Sequence, residues 1–155
     1  MPTVWRIVKT KYAASAFDGE GAKLAGGRWT SVGRKAVYAS STVALATLEM
    51  VAHLDSTKPL AAYSLIRVEI PDSLVTSVDL KDLPPNWTEY PPPPQLAAIG
   101  DGWLNAKTHA VLKVPTALGA AEIPEFNYVL NPEHPEFPRI RFGDPIPFHL
   151  HHRLS

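Results

Sequence analysis

Cysteine is absent from the 155 residues, which excludes disulfides, thiolate metal sites and a cysteine nucleophile. Neither sign of charge is in surplus, since fifteen basic residues balance fifteen acidic ones. Proteins that live on nucleic acid draw much of their affinity from neutralising phosphates, so this balance argues against a direct nucleic-acid partner. No uninterrupted apolar run approaches the ~20 residues of a membrane helix. The opening MPTVWRIVKTKY lacks the apolar core and small-residue cleavage site of a secretory signal. A cytoplasmic protein with no membrane contact is the expectation. Two nucleotide and acyl-transfer signatures are missing too. Gly19-Glu20-Gly21 neither follows a clear strand nor opens a helix with a third glycine in place, which removes a Rossmann fingerprint. No serine occupies a nucleophile elbow, so a hydrolytic triad is not indicated.

What is present suits one globular domain spanning residues 1–155, with 45% apolar residues and a length able to bury a sizeable core. Strands are expected at 4–8, 36–39, 61–70, 111–114, 125–130 and 139–142, where β-branched and aromatic residues cluster. A turn of helix is expected around Ala13–Phe17. A helix is expected over 42–54, capped by Ser40, Ser41 or Thr42 and well buried, because its apolar residues spread round much of the circumference. Gly100 and Gly102 should interrupt a short helix in 95–108. The glycines between 19 and 27 predict a loop covering one side of a pocket. Residues 71–95, with Pro84-Pro85 and Pro91–Pro94, read as an extended connecting segment outside the central sheet. Strands with interleaved helices make an α+β, or mixed α/β, domain.

Chemistry concentrates in Gly26–Glu49. Arg28 follows two glycines, so its planar fork can grip phosphate oxygens at close backbone approach, or it is an ordinary surface arginine. Tyr38 closes a strand, where a ring packs into the core or stacks on a ligand. Glu49 is the only acid on its helix, and a carboxylate among apolar neighbours is costly unless paired. Thr42, Ala46, Glu49 and His53 also share helical spacing and form a wet stripe on the alternative reading. His149, His151 and His152 invite a metal, but no further ligand stands beside them at suitable spacing, and no metal is expected. His134, between prolines, reads as a turn residue.

The order and spacing of Val4-Trp5-Arg6, Gly26-Gly27-Arg28-Trp29-Thr30, Val37-Tyr38-Ala39, Ala44–Glu49, Gly102-Trp103-Leu104, Val114-Pro115-Thr116-Ala117 and Asn127 through Pro135 resemble the RES domain. RES domains are the toxin half of bacterial RES–Xre toxin–antitoxin modules, and the likeness runs through nearly the whole chain. The family is named for an arginine, a glutamate and a serine. Arg28 and Glu49 match the first two, and Thr116 stands where the family has serine, keeping the hydroxyl but restricting χ1. The resemblance implies the fold of ADP-ribosylating toxins and the consumption of NAD⁺ as substrate, with no separate cofactor. The acceptor is then water, phosphate or a protein. Glu49 would stabilise the positive charge formed on the ribose, Arg28 would hold pyrophosphate, and Tyr38 would pack on nicotinamide or ribose. Trp29, Thr116 and Asn127 would complete the NAD⁺ site. An Xre-family helix-turn-helix antitoxin is the implied partner, and a homodimer is compatible with the chain. The rival reading from another class is a non-catalytic interaction module, supported by the threonine and the Pro91–Pro94 run.

Overall fold

The structure is a computed structural model that describes residues 1–55 and 57–154. Its strands are β1 (Thr3–Lys9), β2 (Val37–Ser40), β3 (Tyr63–Glu69), β4 (Val75–Ser77), β5 (Val111–Pro115), β6 (Phe126–Leu130), β7 (Arg141–Phe142) and β8 (Ile146–Phe148). Among the described residues three α-helices join them: α1 (Glu20–Ala25), α2 (Val43–Ala52) and α3 (Pro94–Ala106). All eight strands belong to one sheet, ordered β4-β5-β6-β2-β1-β3-β7, with β8 also pairing β3. Only the β4–β5 pair is parallel among the described residues. The chain is thus a compact mixed helix-and-sheet domain.

Side-chain alternation builds a core on each face of this sheet. Val37, Ala39, Val111, Tyr128 and Leu130 point to one face, with Val4, Val68 and Ile70. Leu112, Val114 and Val129, their immediate neighbours in sequence, point to the other and pack beneath Leu96, Trp103 and Leu104 of α3. Fully burying one such leucine stabilises the fold by ~1.5–3 kcal/mol. The sheet has a seam. β2 pairs β6 over four residues but meets β1 only at Trp5↔Ser40. Arg6 bridges this seam, its Nη1 donating to the Tyr38 carbonyl at 2.7 Å and its Nε to that of Ala16 at 2.9 Å.

Several expectations need correction. The Gly19–Gly27 segment is not a loop. Gly19 (φ +79°) and Gly26 (φ +71°) bracket α1, taking up positive φ values open to glycine where it starts and stops. α3 is continuous through Gly100 and Gly102 for thirteen residues, launched by Pro94 in its first turn. A Cβ at Gly100 would lie 1.6 Å from the carbonyl oxygen of Trp29, so this glycine serves close packing and does not break the helix. The proline-rich segment is not wholly outside the sheet, because Val75–Ser77, free of proline, adds an edge strand beside β5. α2 ends two residues earlier than expected and is only half-buried. Leu45 and Ala46 face the sheet while Leu48 stays 49% exposed, so apolar residues round a helix did not mean burial all round. Thr42, of the three cap candidates, accepts from the Leu45 amide at 3.0 Å. β8 has no counterpart in the sequence reading, since Pro145 and Pro147 mask an edge strand.

Candidate functional site

Glu49 lies on α2 one turn beyond Leu45 and Ala46, which turns it toward the sheet rather than into a wet stripe. Its Oε1 accepts two hydrogen bonds, from Thr116 Oγ1 at 2.7 Å and from Asn127 Nδ2 at 3.0 Å. Thr116 follows β5 and Asn127 sits in β6, so the carboxylate is clamped from two adjacent strands. Ser40 Oγ, at the end of β2, donates to Asn127 Oδ1 at 2.7 Å and thereby points the amide NH₂ at Glu49. The Leu118 amide donates to Thr116 Oγ1 at 3.1 Å, which commits that hydroxyl's proton to the carboxylate. Glu49 Oε2 makes no hydrogen bond among the described residues. One carboxylate oxygen is held and the other is left free.

Arg28 leaves the Gly26-Gly27 turn, where crowding is severe. A Cβ at Gly27 would fall 2.6 Å from the Tyr38 hydroxyl. Arg28 Nη1 donates to the carbonyls of Trp87 and Glu89, each at 2.9 Å, so the proline-rich segment holds one arm of the guanidinium. Nε and Nη2 have no protein partner among the described residues. Burial lowers the Arg28 pKa from its usual value, against the nearby charges of Glu49 and Tyr90, which raise it. Arg28 and Glu49 therefore sense one another electrostatically without a direct ion pair. A guanidinium and a carboxylate with free atoms on each are an arrangement able to receive a polar, partly anionic ligand.

Trp29 sits deeper than expected, while Tyr38 is part-buried in β2. Tyr38 OH shares a 2.8 Å hydrogen bond with Thr30 Oγ1, and burial pushes its phenol up to about 12. Trp29 is 2% exposed and packs in the core with Leu96 and Trp103. Its ring is an anchor for the turn rather than a surface open to a ligand. α3 braces the same turn through Gly100 and through Asp101, which accepts from the Ser31 amide and hydroxyl. Ser40, Gly100, Asp101 and the Trp87 and Glu89 carbonyls escaped the sequence reading. Ser40 was visible only as a cap candidate, and backbone carbonyls carry no sequence signal at all.

The histidines go elsewhere. His134 is buried, accepts from the Glu136 amide at Nδ1 and so donates from Nε2 to the Lys107 carbonyl, pinning a turn as expected. His151 and His152 stack with ring centroids 4.4 Å apart at the chain's end. Among the described residues no group of three histidines, cysteines or acids could hold a metal, and no helix is long and apolar enough to cross a membrane.

Comparison with known proteins agrees with this architecture. A family model described as the RES domain matches residues 3–151. A protein named Toxin Res from Yersinia enterocolitica is 38% identical over 134 residues, covering 86% of each chain. A Prs ADP-ribosylating toxin from a Sphingobium species is 38% identical over 138 residues, covering 85% of this chain and 83% of its own length. A chain in the crystal structure of the Mycobacterium tuberculosis MbcT–MbcA toxin–antitoxin complex superposes with a TM-score of 0.74 at 17% identity. It covers 95% of this chain and 84% of its own, a likeness of fold consistent with an ADP-ribosyltransferase-like domain. With the match running from the first strand to the last residues, this chain belongs to the RES domain family.

Proposed function

We propose that this protein is the toxin of a toxin–antitoxin pair and breaks the bond between nicotinamide and ribose in NAD⁺. The observation that carries this reading is Glu49, fixed at Oε1 by Thr116 and Asn127, with Oε2 free and the charge of Arg28 nearby. As the C–N bond opens, its electron pair goes to the pyridine ring, nicotinamide leaves neutral, and positive charge grows on the sugar. A carboxylate already held in place stabilises that charge without reorganising. Nicotinamide is a good leaving group, so no metal or strong general acid is required. Arg28 offers Nε and Nη2 to the pyrophosphate. Tyr38 and Trp29 support the turn that carries Arg28, and Tyr38 lends its ring edge to the ligand. Thr116 acts through Glu49, which gives a hydroxyl, whether serine or threonine, the same task.

The acceptor is water or inorganic phosphate on this reading. A second reading, transfer of ADP-ribose to a protein, is favoured by the relative named for ADP-ribosylating Prs. The named toxin relatives and the toxin–antitoxin neighbour in fold support an antitoxin partner for this chain as well, of the Xre helix-turn-helix kind, covering the Glu49 site in the cytoplasm. Incubating pure protein with NAD⁺, with and without phosphate, tests the reaction. Free ADP-ribose or its phosphorylated form supports the first reading. A modified protein as sole product supports the second, and untouched NAD⁺ leaves only a binding module.

A further inference from the structure

At the opposite end of the sheet from Glu49, a cleft of about 420 Å³ opens between α3 and the turns flanking β2 and β6. The strand register sets its position. Ser40 pairs Asn127 at the Glu49 end of the β2–β6 ladder, and Val37 pairs Leu130 at the other. Lys35 precedes that far end and Asn131 follows it, so Asn131 stands roughly 13 Å along the strand from Asn127. The lining carries Arg34, Lys35 and Lys107 against one acid, Glu133. Lys35 is partly spent on Glu20 at 3.4 Å, and Arg34 Nη2 donates to Asn105 Oδ1 at 2.7 Å. The Lys107 ammonium and the other Arg34 nitrogens have no partner among the described residues.

Asn131 is the telling residue. It is only 4% exposed, and its Oδ1 accepts from the Glu133 amide at 3.0 Å, which fixes which way the carboxamide faces. Its Nδ2 donates to no group among the described residues. Among the described residues no fully buried side-chain nitrogen or oxygen lacks a partner, so this NH₂ must open into the cleft it lines. Cations at the C-terminal end of α3 complement the helix dipole, which accounts for Lys107 and Arg34 alone. It does not account for a carboxamide on a 4% exposed residue that turns its NH₂ into the cleft.

We propose that this cleft binds a phosphate monoester, separate from the Glu49–Arg28 site. Asn131 Nδ2, Arg34 and Lys107 donate to the phosphate oxygens, and Glu133 accepts from a hydroxyl of the same molecule. A sugar phosphate meets both demands. The test is an NMR titration of the full chain with ribose 5-phosphate, using chloride at matched ionic strength as control. The reporters are the side-chain amides of Asn131 and Asn127. Saturable shifts of the Asn131 amide, with the Asn127 amide unmoved, are expected. Binding should weaken at least tenfold in Arg34→Gln and in Asn131→Asp, which keeps the oxygen that caps the turn but replaces the donor. Arg34→Gln, at a half-exposed position, keeps the test valid should Asn131→Asp fold poorly. The proposal is overturned by shifts that chloride reproduces, by affinity unchanged in the variants, or by shifts at Asn127 alone. A polyglutamate peptide that moves Asn131 when ribose 5-phosphate does not also overturns it, in favour of a protein-docking surface.

Discussion

At the scale of single residues, the site depends on hydrogen bonds whose direction is determined. Thr116 receives the Leu118 amide and gives its proton to Glu49, so Thr116→Val removes an acceptor and a donor at constant shape. We expect a stability loss of ~1–3 kcal/mol and a fall in kcat on the order of 10²-fold, since a misplaced carboxylate loses most of its value. Thr116→Ser should restore both, as steady-state kinetics and thermal melts would show. Ser40→Ala probes the next link. It frees the Asn127 amide to turn, which takes the second donor from Glu49, and should cost about 1 kcal/mol and lower kcat with little change in KM. If Ser40→Ala lowers stability while leaving kcat intact, the relay from Ser40 to Glu49 is not part of the machinery.

At the scale of elements, α3 and the proline-rich segment act on the site from a distance in sequence. Gly100 lets the helix lie against the Trp29 carbonyl, and Asp101 ties down Ser31, one and three residues beyond Arg28 in the same turn. Gly100→Ala gains helix propensity but forces the turn and helix apart. We expect overpacking to win, with a net loss of about 1–3 kcal/mol and a raised KM for NAD⁺ from the displaced Arg28; a melting temperature above wild type would contradict this. The legibility of these elements differed for physical reasons. β1, β3, β5 and β6 follow from runs of β-branched and aromatic residues, because burial on at least one face writes itself into composition. Gly100 and Gly19–Gly27 misled because glycine signals either a break or a close approach, and only the neighbouring chain decides which. Glu49 with Arg28 was visible as a pair. That Asn127 and Thr116 would meet at one carboxylate oxygen depends on register between strands, which no local window contains.

For the whole molecule, the sheet is held across its seam by Arg6 and across its faces by two cores, with Tyr38 packed on one and bonded through its carbonyl to Arg6. Its phenol, at about 12 when folded against 10.0 in a free chain, stays protonated where the unfolded chain would ionise. A raised folded pKa gives stability that is complete below pH ~10 and lost as pH rises toward about 12. The difference amounts to on the order of 2–3 kcal/mol. Burial also lowers the Arg6 pKa, an opposing effect that wild type and a Tyr38→Phe variant share, so it cancels between them. Urea melts at pH 8, 10 and 11.5 should therefore show wild type weakening more steeply than Tyr38→Phe, which keeps only the smaller contribution of the buried Tyr128 phenol, whatever the constant cost of the lost Thr30 bond. Parallel slopes would mean the phenol is not sheltered.

The most direct test of the central claim compares nicotinamide release by wild type and Glu49→Gln, with NAD⁺ binding measured on the same samples. Glutamine keeps the shape and removes the charge, so the account predicts release slowed by about 10³-fold with affinity within a few-fold of wild type. Release at the wild-type rate by Glu49→Gln, or none by either protein with NAD⁺ bound, would contradict it.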